Sequence, residues 1–149
     1  RLSSSAWKEM RAWIRKARRE NGGRVETGGL LFGERDGAAN VLWVSEVSGP
    51  PGDSSAAETH FVCGTRGMSE LNEEKRRRSR GAVSFIGMWH THPGGAPIPS
   101  VTDREGMRQI ILAGLPSTPE SLLLIVGGDL ERDPILGASV FSRSDLTHP

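Results

Sequence analysis

The sequence predicts an α/β (α+β) fold: a mostly antiparallel mixed sheet flanked by about three helices, in one domain spanning residues 1–149. Three observations predict it. A chain of 149 residues is the size of one ordinary domain and can bury a substantial core without staples. Three segments carry apolar residues at helical spacing, and strand-like runs lie between them. Clusters of Gly, Pro and Asn punctuate the two kinds of segment, and no internal repeat or low-complexity tract interrupts them.

The first helix is predicted over residues 4–20. Trp7, Met10, Ile14 and Ala17 share one face, Ser4 or Ser5 can cap the start, and Asn21-Gly22-Gly23 ends it. Val25 to Gly33, which includes Glu26, reads as a strand with close backbone approach at its glycines. Arg35-Asp36-Gly37 signals a hairpin turn, and Asn40 to Val47 is the returning strand. Residues 48–55 are loop, and His60-Phe61-Val62 forms a short strand. A second, basic helix covers residues 66–80, with Met68, Leu71 and Lys75 inward and cations near its end, where they suit the helix dipole. Val83 to His90 is a strand broken by Pro93-Gly94-Gly95. Thr102 to Ala113 is the third helix, followed by strands at Leu122–Val126 and Ala138–Phe141.

Composition narrows the function. Lys plus Arg is 19 and Asp plus Glu is 18, a net charge of +1. That balance disfavours a protein devoted to coating nucleic acid, which needs a clear cationic excess. One cysteine, Cys63, cannot make an internal disulfide, which points to a reducing, cytoplasmic setting. The longest apolar run, Leu122 to Val126, is far short of the ~20 residues a membrane span needs. With neither a starting Met nor a signal-type stretch, the sequence reads as a domain excised from, or part of, a longer polypeptide.

The chemistry concentrates in His90-Thr91-His92-Pro93, followed by Ser100 and Asp103. Residues two apart on a strand point the same way, so His90 and His92 aim two imidazoles at one spot. The same alternation predicts Ile86 and Met88 behind them on that face, with Phe85 and Trp89 on the other. Asp103 falls in the first turn of the next helix, where a returning loop can bring its carboxylate to the imidazoles. Two His and one carboxylate form a zinc set that leaves a fourth position for water, the arrangement of a catalytic site. Glu26 is the candidate base for that water, and the Ser100 hydroxyl can donate to an oxyanion on a carbonyl attacked beside the metal. Each residue also has a plainer reading. Ser100-x-x-Asp103 and Thr102-x-x-Glu105 both look like capping boxes, Glu26 suits a strand edge, and a histidine pair can simply end a strand. Taken together, those readings require four unrelated coincidences of residue type and spacing.

The pattern of a Glu, then His-x-His, seven intervening residues and Ser-x-x-Asp resembles the JAMM (JAB or MPN) metalloproteases. Glu26 in Glu-Thr-Gly-Gly-Leu-Leu-Phe-Gly resembles the family's general-base segment. His90 and His92 match its histidine ligands, Asp103 its carboxylate ligand and Ser100 its oxyanion serine. The resemblance extends over roughly residues 4–145, and its wording around Trp89 to Pro93 is similar to bacterial JAB peptidases found beside ubiquitin-like conjugation machinery, such as anti-phage operons. It implies one zinc per domain with an activated water, cytidine-deaminase-like layering, and hydrolysis directly after the C-terminal glycine of a ubiquitin-like protein. The implied partners are that ubiquitin-like protein or its conjugate and an associated or fused activating or conjugating enzyme. Two other functions stay open: clipping small C-terminal adducts from a sulfur-carrier protein, and a non-catalytic interaction module.

Other residues carry less. His60 and Cys63 have the spacing of a second metal pair, but Cys63 is more simply read as a small buried apolar group. Trp7, Trp13 and Trp43 read as packing, and His148 lies in the tail without a role. The basic runs at residues 8–19 and 75–80 hold 11 of the 19 cations. They are read as solvated helix faces, with docking of an acidic partner as the sharper alternative and nucleic-acid binding disfavoured.

Overall fold

The computed structural model describes residues 1–116 and 118–144; His148 lies outside them. Among the described residues, three helices, α1 (Ser4–Asn21), α2 (Met68–Arg78) and α3 (Val101–Leu112), accompany seven strands. The strands are β1 (Gly28–Asp36), β2 (Val41–Val47), β3 (Ser55–Ala56), β4 (Phe61–Val62), β5 (Ser84–Pro93), β6 (Glu120–Asp129) and β7 (Asp133–Ser142). Five of them form one sheet in the order β2-β1-β5-β6-β7, and β3 pairs with β4 separately. Every neighbouring pair is antiparallel except β5 and β6. That parallel pair needs a crossover, which α3 supplies. The mixed, mostly antiparallel sheet with three helices is the architecture the sequence predicts.

The two faces of the sheet bury separate cores. Ala6, Met10 and Ile14 of α1 pack with Leu31, Val44, Val47, Ile86, Trp89, Leu122, Leu124 and Val126. On the other face Met68 of α2 packs with Leu30, Phe32 and Phe85, and Met107 of α3 with Leu123 and Ile125. Trp89 is fully buried, and its indole N–H donates to the Ser48 carbonyl at 2.9 Å, so its one polar atom stays satisfied.

The predicted side-chain alternation along β5 fails at one point. Phe85, not Ile86, lies on the face of Met88 and His90, while Ile86 packs beside Trp89 against α1. The cause is a β-bulge. Leu31 pairs with Gly87 and the next residue, Phe32, pairs with Phe85, so Ile86 is an extra residue in β5. Gly87 sits where a Cβ would come within 1.9 Å of the Leu122 carbonyl oxygen, so only glycine fits there.

Other differences are local. Ser3 caps α1 in place of Ser4 or Ser5, its hydroxyl accepting the Ala6 N–H at 3.1 Å. The β1–β2 turn falls at residues 37–40, starting two residues later than expected, because Asp36 Oδ1 accepts the N–H groups of Ala38 and Ala39. β6 and β7 extend well beyond the apolar runs that signalled them, closing through a turn in which Asp129 Oδ1 accepts from Glu131 and Arg132. His60 lies just before β4, and the partner strand β3 comes from the end of the predicted loop.

The inward Lys75 has a specific partner. Its ammonium bonds the Glu46 carboxylate of β2 and sits 5.0 Å from the centre of the Phe32 ring. Arg78 bonds the same oxygen at 2.8 Å, so two of the basic residues of α2 fasten it to the sheet. Burial raises the Glu46 carboxyl, but the hydrogen bonds and charges of Lys75 and Arg78 outweigh it and hold the group below its ordinary value. A carboxyl lowered in the native state stabilises it above the unfolded value near 4.3 and loses that stabilisation as pH falls through the native value. Glu46→Gln is therefore expected to lower the melting temperature at neutral pH and to narrow the gap from wild type below about pH 4. A gap that persists unchanged into acid would refute the assignment.

Candidate metal centre

β5 delivers the two histidines from its carboxyl end, past the bulge, where alternation resumes. His90 Nε2 and His92 Nε2 lie 3.0 Å apart. Thr91, between them, points the other way, and its hydroxyl accepts the Thr27 N–H at 3.0 Å. That bond clamps the end of β5 to the segment that carries Glu26. His92 Nδ1 lies 2.9 Å from the Ala96 carbonyl oxygen. A ring nitrogen facing a carbonyl carries the proton, which leaves His92 Nε2 as the lone-pair nitrogen turned toward His90. Phe61 of β4 packs against the His90 ring, their centres 6.3 Å apart.

Asp103 arrives from the first turn of α3. Its Oδ1 is 3.2 Å from His90 Nε2 and its Oδ2 is 3.5 Å from His92 Nε2. The capping box is present as well. The Ser100 N–H donates to Asp103 Oδ2 at 2.7 Å, and Ser100 Oγ accepts the Asp103 N–H at 3.2 Å. The two readings of this tetrapeptide are therefore compatible: the cap is what aims the carboxylate at the imidazoles. Burial raises the Asp103 carboxyl, but hydrogen bonds from His90 and Ser100 dominate and hold it well below the usual range.

Glu26 lies just before β1, not on a strand as expected, and is held there by its own N–H donating to the Ala57 carbonyl at 2.9 Å. Its Oε1 is 3.9 Å from His92 Nε2, and its Oε2 is buried with no hydrogen-bond partner. Burial pushes this carboxyl above its ordinary value; His90 and His92 work against the shift, and Asp103 adds to it. Glycine at 28 permits the close approach, since a Cβ there would meet the Trp89 carbonyl oxygen at 2.3 Å and the Phe61 ring at 2.5 Å.

The five predicted residues thus come together from three separate elements. Among the described residues, Glu26, His90 and His92 present ligand atoms within 4.8 Å of one another, and the Asp103 carboxylate, outside that group, lies 3.2 Å from His90 Nε2 and 3.5 Å from His92 Nε2. Two imidazoles, two carboxylates and an orphaned buried oxygen fit a divalent cation of the zinc type. His60 and Cys63 form no part of this group. Burial pushes the Cys63 thiol up to about 12, and the Asp53 charge adds to it, so the thiol stays protonated and inert. Sequence reasoning missed Phe61 and the Ala96 carbonyl, because neither has a motif of its own. It also missed an apolar groove of about 700 Å³ that ends at His90 and Asp103, between β4 and α3.

The profile of a family described as prokaryotic homologs of the JAB domain matches residues 5–135. The chain belongs to that family. The JAB chain is 34% identical over 144 residues to a CD-NTase/cGAS isopeptidase of Enterobacter hormaechei subsp. hoffmannii (strain UCI 50), covering 97% of this chain and 76% of the relative. It is 40% identical over 104 residues to a CD-NTase/cGAS isopeptidase of Vibrio cholerae, covering 68% of this chain and 62% of that relative. The solution structure of protein DSY2949 from Desulfitobacterium hafniense superposes with a TM-score of 0.62 at 27% identity, covering 96% of this JAB chain and 84% of that one. Among the described residues, no helix is long and apolar enough to cross a membrane.

Proposed function

We propose that this chain is a JAMM-type zinc isopeptidase that hydrolyses the bond after the C-terminal glycine of a ubiquitin-like protein, releasing it from a conjugate or a precursor. The observation that carries the reading is the convergence of His90 and His92 Nε2, 3.0 Å apart, with the Asp103 carboxylate 3.2 Å from the first and the Glu26 carboxylate 3.9 Å from the second. The names of the relatives support an isopeptide bond as the target, with a CD-NTase as the other half of the conjugate. His90, His92 and Asp103 hold the metal. A bound zinc supplies Lewis acidity toward the scissile carbonyl and lowers the pKa of a coordinated water.

The remaining steps belong to side chains. Glu26 takes a proton from the attacking water and returns it to the leaving amine, a role its buried, unpartnered Oε2 leaves it free to fill. Ser100 Oγ accepts from the Asp103 N–H, so its own O–H remains to donate to the oxyanion. The apolar groove beside His90 takes the extended tail, whose glycines let the carbonyl approach the centre.

Incubation with a tagged ubiquitin-like protein from the same genome, with and without a chelator, tests the proposal. Release at the terminal glycine that zinc restores after chelation is expected; chelator-resistant release, or none, would overturn it. Ser100→Ala separates the two roles of its hydroxyl. Turnover should fall about 10²–10³-fold with metal retained, against a cap loss of about 1 kcal/mol in stability. A lowered melting temperature with unchanged turnover would leave Ser100 as a cap alone.

A further inference from the structure

The two edges of the sheet differ. At β2 the N-terminal segment covers the edge: Leu2 bridges Val44, the Val44 N–H donates to the Arg1 carbonyl at 2.8 Å, and the Ser3 N–H donates to the Val44 carbonyl at 2.9 Å. At β7 no described strand pairs with the outer side. Long exposed edges are usually blunted by a lysine, a bulge or a covering element. Among the described residues, β7 carries no lysine and no bulge from Ile135 to Ser142 and no strand pairs with its outer side, although the Pro97 carbonyl packs over Gly137. Pro134 interrupts only its first turnward residue.

The bare edge is also apolar. Ile135, Leu136 and Val140 are 51%, 41% and 57% exposed. Leu136, Ala138 and Val140 share the α1-side face and line an open groove of about 630 Å³ with Leu42 and Val44 of the far edge. The groove is also lined by Arg1 and by the Arg35–Glu120 ion pair, whereas the charges of β7 itself sit at its ends: Asp133 opens the strand and Arg143 follows it, and neither has an ion-pair partner among the described residues.

We propose that two copies of this chain associate by antiparallel pairing of β7 about a two-fold axis at Ala138, joining two five-stranded sheets into one. In that register Asp133 lies opposite Arg143 of the second copy, Leu136 opposite its Val140, and Ile135 opposite its Phe141. Directly opposed residues share a face, so each exposed apolar side chain gains an apolar neighbour. Register is fixed by the ends. Sliding the pairing by one residue sets Asp133 opposite Ser142 or Ser144, and sliding it by two toward the start of β7 sets it opposite Phe141. A single alignment satisfies both charges, and two-fold symmetry uses it twice.

Sedimentation equilibrium of the intact chain over a concentration series tests this, with circular dichroism and melting temperature confirming that each variant folds. A reversible dimer is expected. Val140→Lys, which sets a cation opposite Leu136 on both strands, should raise the dissociation constant about tenfold or more. Asp133→Arg should weaken the dimer a few-fold by facing Arg143, and adding Arg143→Asp should restore the wild-type constant. A chain that stays monomeric throughout would overturn the proposal. So would a dimer indifferent to Val140→Lys, or a charge exchange that fails to restore association. Since Asp133 and Arg143 are exposed, the exchange decides the matter even if Val140→Lys misfolds.

Discussion

Glu26→Gln is expected to lower turnover about 10²–10⁴-fold, the span general-base removal covers, while zinc content stays at wild-type level. The amide keeps the size of the side chain and its place in the pocket but cannot take a proton. The result separates two readings of one geometry. Glu26 Oε1 is near enough to His92 Nε2 to be counted with the histidines as a ligand, and its other oxygen is buried without a partner. A ligand would take its metal with it when changed; a base would not. Metal analysis of the purified variant beside its rate tells them apart, and loss of zinc would transfer Glu26 to the ligand set.

Asp103→Asn is expected to strip or weaken the metal by more than the ~10–100-fold typical of residues that only orient a ligand, and activity should fall with it. The carboxylate faces both imidazoles, at 3.2 and 3.5 Å. Its second function complicates a simple reading, because the same group accepts the Ser100 N–H at the start of α3. Asparagine retains an acceptor for that N–H, so the helix start survives while the charge is lost. A variant with full zinc occupancy would contradict the ligand role. Melting temperatures of the metal-free proteins should differ little, which isolates the charge from the cap.

Much of this was legible in the sequence. The three helices and the main strands are fixed by apolar spacing and by Gly and Pro, which act locally. His90, His92 and Asp103 were legible because a strand's two-residue period and a helix's first turn are short-range rules. What could not be read depends on neighbours distant in the chain. The bulge at Ile86 exists because β1 and β6 impose their pairing on β5, and nothing in residues 83–92 announces it. Glu26 was placed on a strand because its neighbours are strand formers, whereas its backbone is actually claimed by Ala57. The sequence places Lys75 inward but cannot name its partner, and it reads Arg78 as part of a solvated face; both are tied to Glu46, a residue with no sequence signal.

The extra residue in β5 has a consequence for how this chain can diverge. Parity along the strand is reset once, between Phe85 and Met88. On the Val83 side of that reset, gaining or losing one residue can be absorbed by re-siting it. On the His90 side there is no slack: the same change turns both imidazoles toward α1 and strands Asp103 across the sheet. Length variation among descendants should therefore accumulate on one flank of Gly87 and be purged from the other.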